Sequence, residues 1–147
     1  MSRDLLQKLL RHLRFLELEL ADTGHFADLT REEYLKDSDR RRNVERWAEN
    51  IINSTIDVAK IALTLERLPL GDSYREIVAS LSVVGEFASI DVSEISGWTR
   101  LRNVLAHEYL DLRWRSLERF IQDAPARCGS FLECTKRYLS RVGGGST

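Results

Sequence analysis

Two cysteines, two prolines and eight glycines are spread over 147 residues. That is too few for a disulfide framework or a Gly/Pro-rich linker. Cys128 and Cys134 stand six apart, neither a CxxC pair nor a metal-ligand spacing, so both are expected as free thiols in a reducing compartment. The chain has no HExxH, no paired Cys/His set, no Walker loop, no glycine-rich phosphate loop and no nucleophile elbow. Any catalysis is therefore expected to run without a resident metal or cofactor. Long apolar runs are missing as well: Met1 to Leu20 alternates apolar with charged residues, which predicts neither a signal peptide nor a membrane span and fits a cytoplasmic protein. There is no alternating β-branched run, no Asn-Gly hairpin and no repeat of fixed period. A formal net charge of −1 supplies no global basic field to draw the chain to nucleic acid.

What is present is helical. An apolar fraction of 43% with 31% charged residues suits a compact all-α protein of one domain, expected over 1–142 with a flexible tail at 143–147. Leucines 5, 6, 9, 10, 13, 16 and 20 recur at helical intervals and predict a first helix over 2–21, serving as core or dimer seam. Its mixed polar face argues against a membrane-surface helix. Thr30 with Glu33 forms a capping box; a short turn over 31–36 leads through Asp37-Ser38-Asp39 into a long second helix of about thirty residues. Val44, Trp47, Ala48, Ile51, Ile52, Thr55, Val58, Ala59 and Ala62 form its buried stripe. Pro69 and Gly71 break the chain. Ser73 with Glu76 opens a third helix to about Ala88, and Asp91 with Glu94 opens a fourth that contains Gly97 and runs into the segment 102–109. Gly97 is expected to be compensated by close packing against another helix. Leu112 to Asp123 reads as a helix that Pro125 kinks or breaks, and a last helix runs to about Arg141. The expected architecture is an up-down bundle with short loops.

The chemistry concentrates in Arg102-Asn103-Val104-Leu105-Ala106-His107-Glu108-Tyr109. Guanidinium, imidazole and phenol together suit work on a phosphate ester. Arg102 offers a planar fork for phosphate oxygens. Histidine titrates near neutrality and serves as general base or acid, so His107 is the candidate for proton transfer, with Asn103 one turn away to orient its ring. On an ideal helix Arg102 and His107 lie about 140° apart. They converge if the arginine swings across, if the helix loosens near His107, or if a second copy of the chain completes the site. The bland alternative is a histidine capping a helix C-terminus. Arginines supply 18 of the 22 basic residues, and Arg40, Arg41, Arg42 and Arg46 cluster at the start of the long helix. Such a cluster is ordinarily a solvated face, and gains meaning if it lies beside the Arg102 segment.

The string RLRNVLAHEYL (residues 100–110) resembles the signature of HEPN-domain proteins: Arg, a polar residue, apolar residues, then His. The spacing to Tyr109, the helix order and the arm LRWRSLERFIQ (112–122) are similar to the HepT subgroup, toxins of HepT–MntA toxin–antitoxin pairs. The resemblance covers roughly residues 2–140. It implies a HEPN-like bundle forming a homodimer, with a metal-independent endoribonuclease site where two motif helices meet across a two-fold axis. Arg102 and His107 would be the catalytic residues, and the products a 2′,3′-cyclic phosphate and a 5′-hydroxyl. It further implies that a cognate MntA-type nucleotidyltransferase antitoxin silences the enzyme by transferring AMP to Tyr109. The local candidates for the RNA path are Arg40, Arg41, Arg42, Arg100, Arg113 and Arg115. Two other readings stand beside this one: a non-catalytic HEPN module that partners a nucleotidyltransferase or binds a nucleotide, and a dimeric helical scaffold in which the motif merely satisfies helix ends.

Overall fold

A computed structural model describes residues 2–144. Seven α-helices follow in order: α1 (Ser2–Ala21), α2 (Arg31–Lys36), α3 (Ser38–Leu65), α4 (Tyr74–Ala79), α5 (Val92–Ser96), α6 (Thr99–His107) and α7 (Leu110–Gly144). Short 3-10 turns at Asp22–His25, Ser80–Val83 and Gly85–Phe87 complete the regular structure, and no strand occurs among the described residues. The chain is an all-α bundle. Its frame is α1, α3 and α7, the only elements long enough to bury continuous apolar stripes against one another.

Leu9, Leu13 and Leu16 of α1 are buried within the single chain, so the leucine stripe is core. Trp47 of α3 locks the pair by donating its indole N–H to the carbonyl of Glu19 at 2.7 Å. Three aromatic groups tie the frame together: Phe26, Trp47, Phe120 and Trp98; Tyr34 with Trp114; and Phe87 with Phe131 and Tyr138. The first matters most for function, because Trp98 meets Phe120 edge-on at 5.3 Å and thereby anchors the start of α6 on α7.

Several boundaries differ from the expectation. The segment 31–36 is a helix, so the long helix is the third. Thr30 accepts from the Glu33 N–H while the Glu33 carboxylate accepts from the Thr30 N–H, the reciprocal capping expected there. The predicted helix from Ser73 to Ala88 ends at Ala79, where the chain tightens into 3-10 turns and Val84 turns extended. The predicted fourth helix divides at Gly97 into α5 and α6. A Cβ on Gly97 would meet the Glu94 carbonyl oxygen at 3.2 Å, so the crowding glycine relieves comes from its own preceding turn and not from another helix. Pro125 breaks nothing: α7 runs unbroken through it. A helix-interior proline costs about 3 kcal/mol. Burial of Phe120, Ile121 and Ala124 before it, and of Cys128, Phe131 and Leu132 after it, offsets that cost at about 1.5–3 kcal/mol for each large apolar side chain. Gly143 and Gly144 belong to α7, and residues 145–147 of the expected tail lie outside the described residues.

Both cysteines are free and buried. No helix among the described residues is long and apolar enough to cross a membrane.

Candidate functional site

The helix α6 is short and is held by its neighbours. Leu101 and Leu105 are buried one turn apart and turn the helix's inner face to the core. The opposite side is left as a ridge: Asn103, Ala106 and His107 are exposed, flanked by exposed Arg100 and half-buried Arg102. His107 is the last helical residue, and its ring bonds to no described residue. Glu108 then turns extended (φ −95, ψ 162), so the helix does not continue to Tyr109. The Tyr109 carbonyl instead accepts from the N–H groups of Leu112 and Arg113 at 3.1 and 3.0 Å, which starts α7. Its side chain projects outward and is 86% exposed, not half-buried against a helix end.

Within one chain Arg102 and His107 point to different sides of this ridge. The guanidinium of Arg102 lies over the ring of Tyr74, its Cζ 4.9 Å from the centroid. The Nζ of Lys60 on α3 lies 5.0 Å from the same centroid. Neither cation makes an ion pair or hydrogen bond with a described residue. Tyr74 and Lys60 escape sequence reasoning because nothing in the spacing of positions 60, 74 and 102 brings them together; the only local hint is an aromatic residue directly after the Ser73 cap.

The other flank of α6 borders a groove of about 540 Å³ against α7. Arg75, Arg100, Arg115, Arg119 and Arg127 line it, against three carboxylates, Glu94, Glu108 and Asp123. Arg127 faces Glu94 at 3.9 Å, and the remaining four arginines have no partner among the described residues. On a chain of net charge −1 this is a local excess of positive charge along α6, in a groove that reaches Glu108, the residue after His107.

The expected basic candidates therefore separate. Arg100 and Arg115 face the groove. Arg113 is committed to structure, donating from Nε to the Glu108 carbonyl at 2.8 Å and facing Glu45 at 3.5 Å. Arg40 pairs with Glu33 and also donates to the His25 carbonyl at 3.1 Å. Arg41 donates to the carbonyls of Tyr34 and Leu35, both at 3.1 Å, and so caps the end of α2. Arg42 is exposed. Through Arg113–Glu45 the start of α3 does lie beside the start of α7, and an Arg31–Asp111 ion pair ties α2 to the same place, but two arginines of the cluster are already engaged.

The class defined by this arrangement is a helical bundle that presents an arginine and a histidine on a short, outward-facing helix with cationic flanks. A family profile described as Ribonuclease HepT-like matches residues 9–133, and the chain belongs to that family. No curated protein and no solved structure gives a match. Membership carries the general reading: a ribonuclease toxin of toxin–antitoxin type, acting on RNA.

Proposed function

We propose that the chain acts as a homodimeric, metal-independent endoribonuclease whose site forms where two α6 ridges meet, with Arg102 and His107 catalytic and Asn103 supporting. The observation that carries this reading is the ridge itself. Asn103, Ala106 and His107 stand exposed, with a small residue at the centre, on a helix whose other face is core. Two such ridges facing across a two-fold axis bring the His107 flank of one protomer towards the Arg102 flank of the other.

The chemistry is in-line transfer within the RNA. One His107 takes the proton of the 2′-hydroxyl as that oxygen bonds to phosphorus. The bond from phosphorus to the 5′-oxygen breaks, and the second His107 gives that oxygen a proton. The products are a 2′,3′-cyclic phosphate and a 5′-hydroxyl. The Arg102 forks bind the non-bridging oxygens, where charge builds in the transition state. The groove arginines Arg100 and Arg115 guide the flanking strand.

Regulation fits the same place. Tyr109 stands two residues from His107 with its phenol free in solvent, accessible to a nucleotidyltransferase antitoxin that transfers AMP to it. Each AMP adds an anionic phosphodiester and a base at the mouth of the cleft, which repels and blocks RNA.

The test is cleavage of a defined RNA by the wild type, His107→Ala and Arg102→Ala, with end-group analysis and a chelator control. The expectation is a loss of about 10²–10⁴ in rate for His107→Ala, a cyclic-phosphate end, and no effect of chelator. His107 is exposed and unbonded, so the variant keeps its fold. Wild-type cleavage by folded His107→Ala removes it as catalyst; a partner-binding dimer that leaves varied RNAs intact favours the non-catalytic module.

A further inference from the structure

Resting on Arg102 as the phosphate-gripping residue, we propose that Tyr74 is its positioning residue and that Lys60 supplies a second cation to the same RNA phosphate. The ring of Tyr74 carries both charges, Arg102 at 4.9 Å and Lys60 at 5.0 Å from its centroid. A carboxylate would position Arg102 equally well, but it would occupy the donors and cancel the charge. An aromatic face does neither. It attracts the guanidinium to its face without occupying the N–H donors.

The contrast with other arginines of this chain is plain. Arg40 is held by Glu33, Arg113 faces Glu45, and Arg141 is held by Glu66 and Glu86. Arg102 is held with its donors free. Both cations lie within 5.0 Å of the centre of one ring and neither is paired with a carboxylate among the described residues, so their charge is open to an incoming anion. A phosphodiester is the anion the proposed substrate brings.

The ring itself is fixed by its backbone. Tyr74 is the first residue of α4, directly after the Ser73 cap, whose hydroxyl accepts from the Glu76 N–H at 3.1 Å. The Glu76 carboxylate reaches back to the Asp72 N–H at 2.9 Å. Gly71 allows this closure, since a Cβ there would meet the Glu76 Cβ at 2.6 Å.

The experiment is a steady-state cleavage assay on the full chain with Tyr74→Leu, Tyr74→Phe, Lys60→Met, Arg102→Met and the Tyr74→Leu/Arg102→Met pair. Tyr74 is 45% exposed, so leucine is accommodated, and far-UV circular dichroism checks the fold. Tyr74→Leu is expected to lower kcat about two- to fivefold, as expected for losing one partly exposed cation–π contact, with KM nearly unchanged. Tyr74→Phe, which keeps the ring, recovers most of that loss. In the Arg102→Met background, Tyr74→Leu lowers the residual rate no further. Lys60→Met raises KM. The proposal is overturned if Tyr74→Leu is as fast as Tyr74→Phe, if the leucine costs the same factor once Arg102 is gone, or if Lys60→Met leaves KM unmoved. Full activity of Arg102→Met is a different result, because it removes the catalytic reading on which this one stands.

Discussion

The arginines of this chain divide into those consumed by the fold and those left for a ligand, and salt dependence reads the division. Single-stranded nucleic acid loses affinity with a slope in log K against log salt of about 0.7 per phosphate contact. Arg100 and Arg115 line the α6–α7 groove without partners among the described residues, so changing both to Gln should flatten the slope by about 1.4 if each meets one phosphate. Arg40 and Arg41 are bound by the Glu33 carboxylate and by the carbonyls of His25, Tyr34 and Leu35. Changing those two should leave the slope alone. It should instead lower stability by about 1 kcal/mol for each lost hydrogen bond, a few degrees in Tm. The assay is fluorescence anisotropy of a labelled single-stranded RNA on the His107→Ala background, from 50 to 300 mM salt, beside thermal melts. The reasoning fails if the groove pair leaves the slope intact, or if the Arg40/Arg41 pair flattens it equally.

Two further outcomes concern stability. Burial, with the neighbouring carboxylates of Glu45 and Glu66, pushes the phenols of Tyr34 and Tyr138 well above their usual value of 10.0. The folded state therefore favours the neutral phenols: stability is fully present below pH 10 and is lost as the pH climbs past it, because the unfolded chain ionises there first. Urea titrations at pH 8 and 11 should show the loss, and Tyr34→Phe with Tyr138→Phe should reduce it; equal stability at both pH values refutes the assignment. Arg67 holds a left-handed φ of 57 at the end of α3, where its N–H donates to the Thr64 carbonyl at 3.1 Å and that of Leu68 to the Leu63 carbonyl at 2.9 Å. Arg67→Gly should stabilise by about 1 kcal/mol, read as a higher urea midpoint at unchanged slope; a lower midpoint refutes the strain.

How much of this was legible depended on the distance over which the cause acts. The leucines of α1 and the stripe from Val44 to Ala62 declared two of the three frame helices, because each stripe is periodic within its own segment. Caps at Thr30, Ser73 and Asp91 are local too, and all three accept the expected N–H bonds. The continuity of α7 was hidden, because the burial that outweighs Pro125 comes from partners on other helices. So was the division at Gly97, where the backbone stays right-handed but the hydrogen bonds tighten into turns as Trp98 packs on Phe120. The motif stood out as a string, but the surroundings of its arginine did not. Tyr74 and Lys60 reach Arg102 only through the packing of α3, α4 and α6.

That packing also bears on the proposal that one copy of the chain supplies half of the site. Arg102 and His107 are five residues apart on a regular helix, which separates them by about 140° and 7.5 Å of rise. Arg102 could swing across only by leaving the ring of Tyr74, and α6 keeps its regular turn up to His107 itself. Of the three ways the pair could converge, two thus require the loss of a contact or a helical turn that the isolated chain possesses. The two-fold axis proposed above requires neither: it would bring each imidazole towards the other subunit's guanidinium while the chain keeps the conformation it already has. Mixing His107→Ala with Arg102→Ala subunits therefore decides the matter. If the two groups of a working site come from different chains, one heterodimer arrangement retains an intact Arg102–His107 pair and recovers part of the activity that each homodimer lacks. Because the proposed cleavage draws on both imidazoles, the heterodimer is expected to stay below the wild type; a mixture as inactive as its components would mean that both groups act from the same chain, and the pairing across the axis would have to be given up.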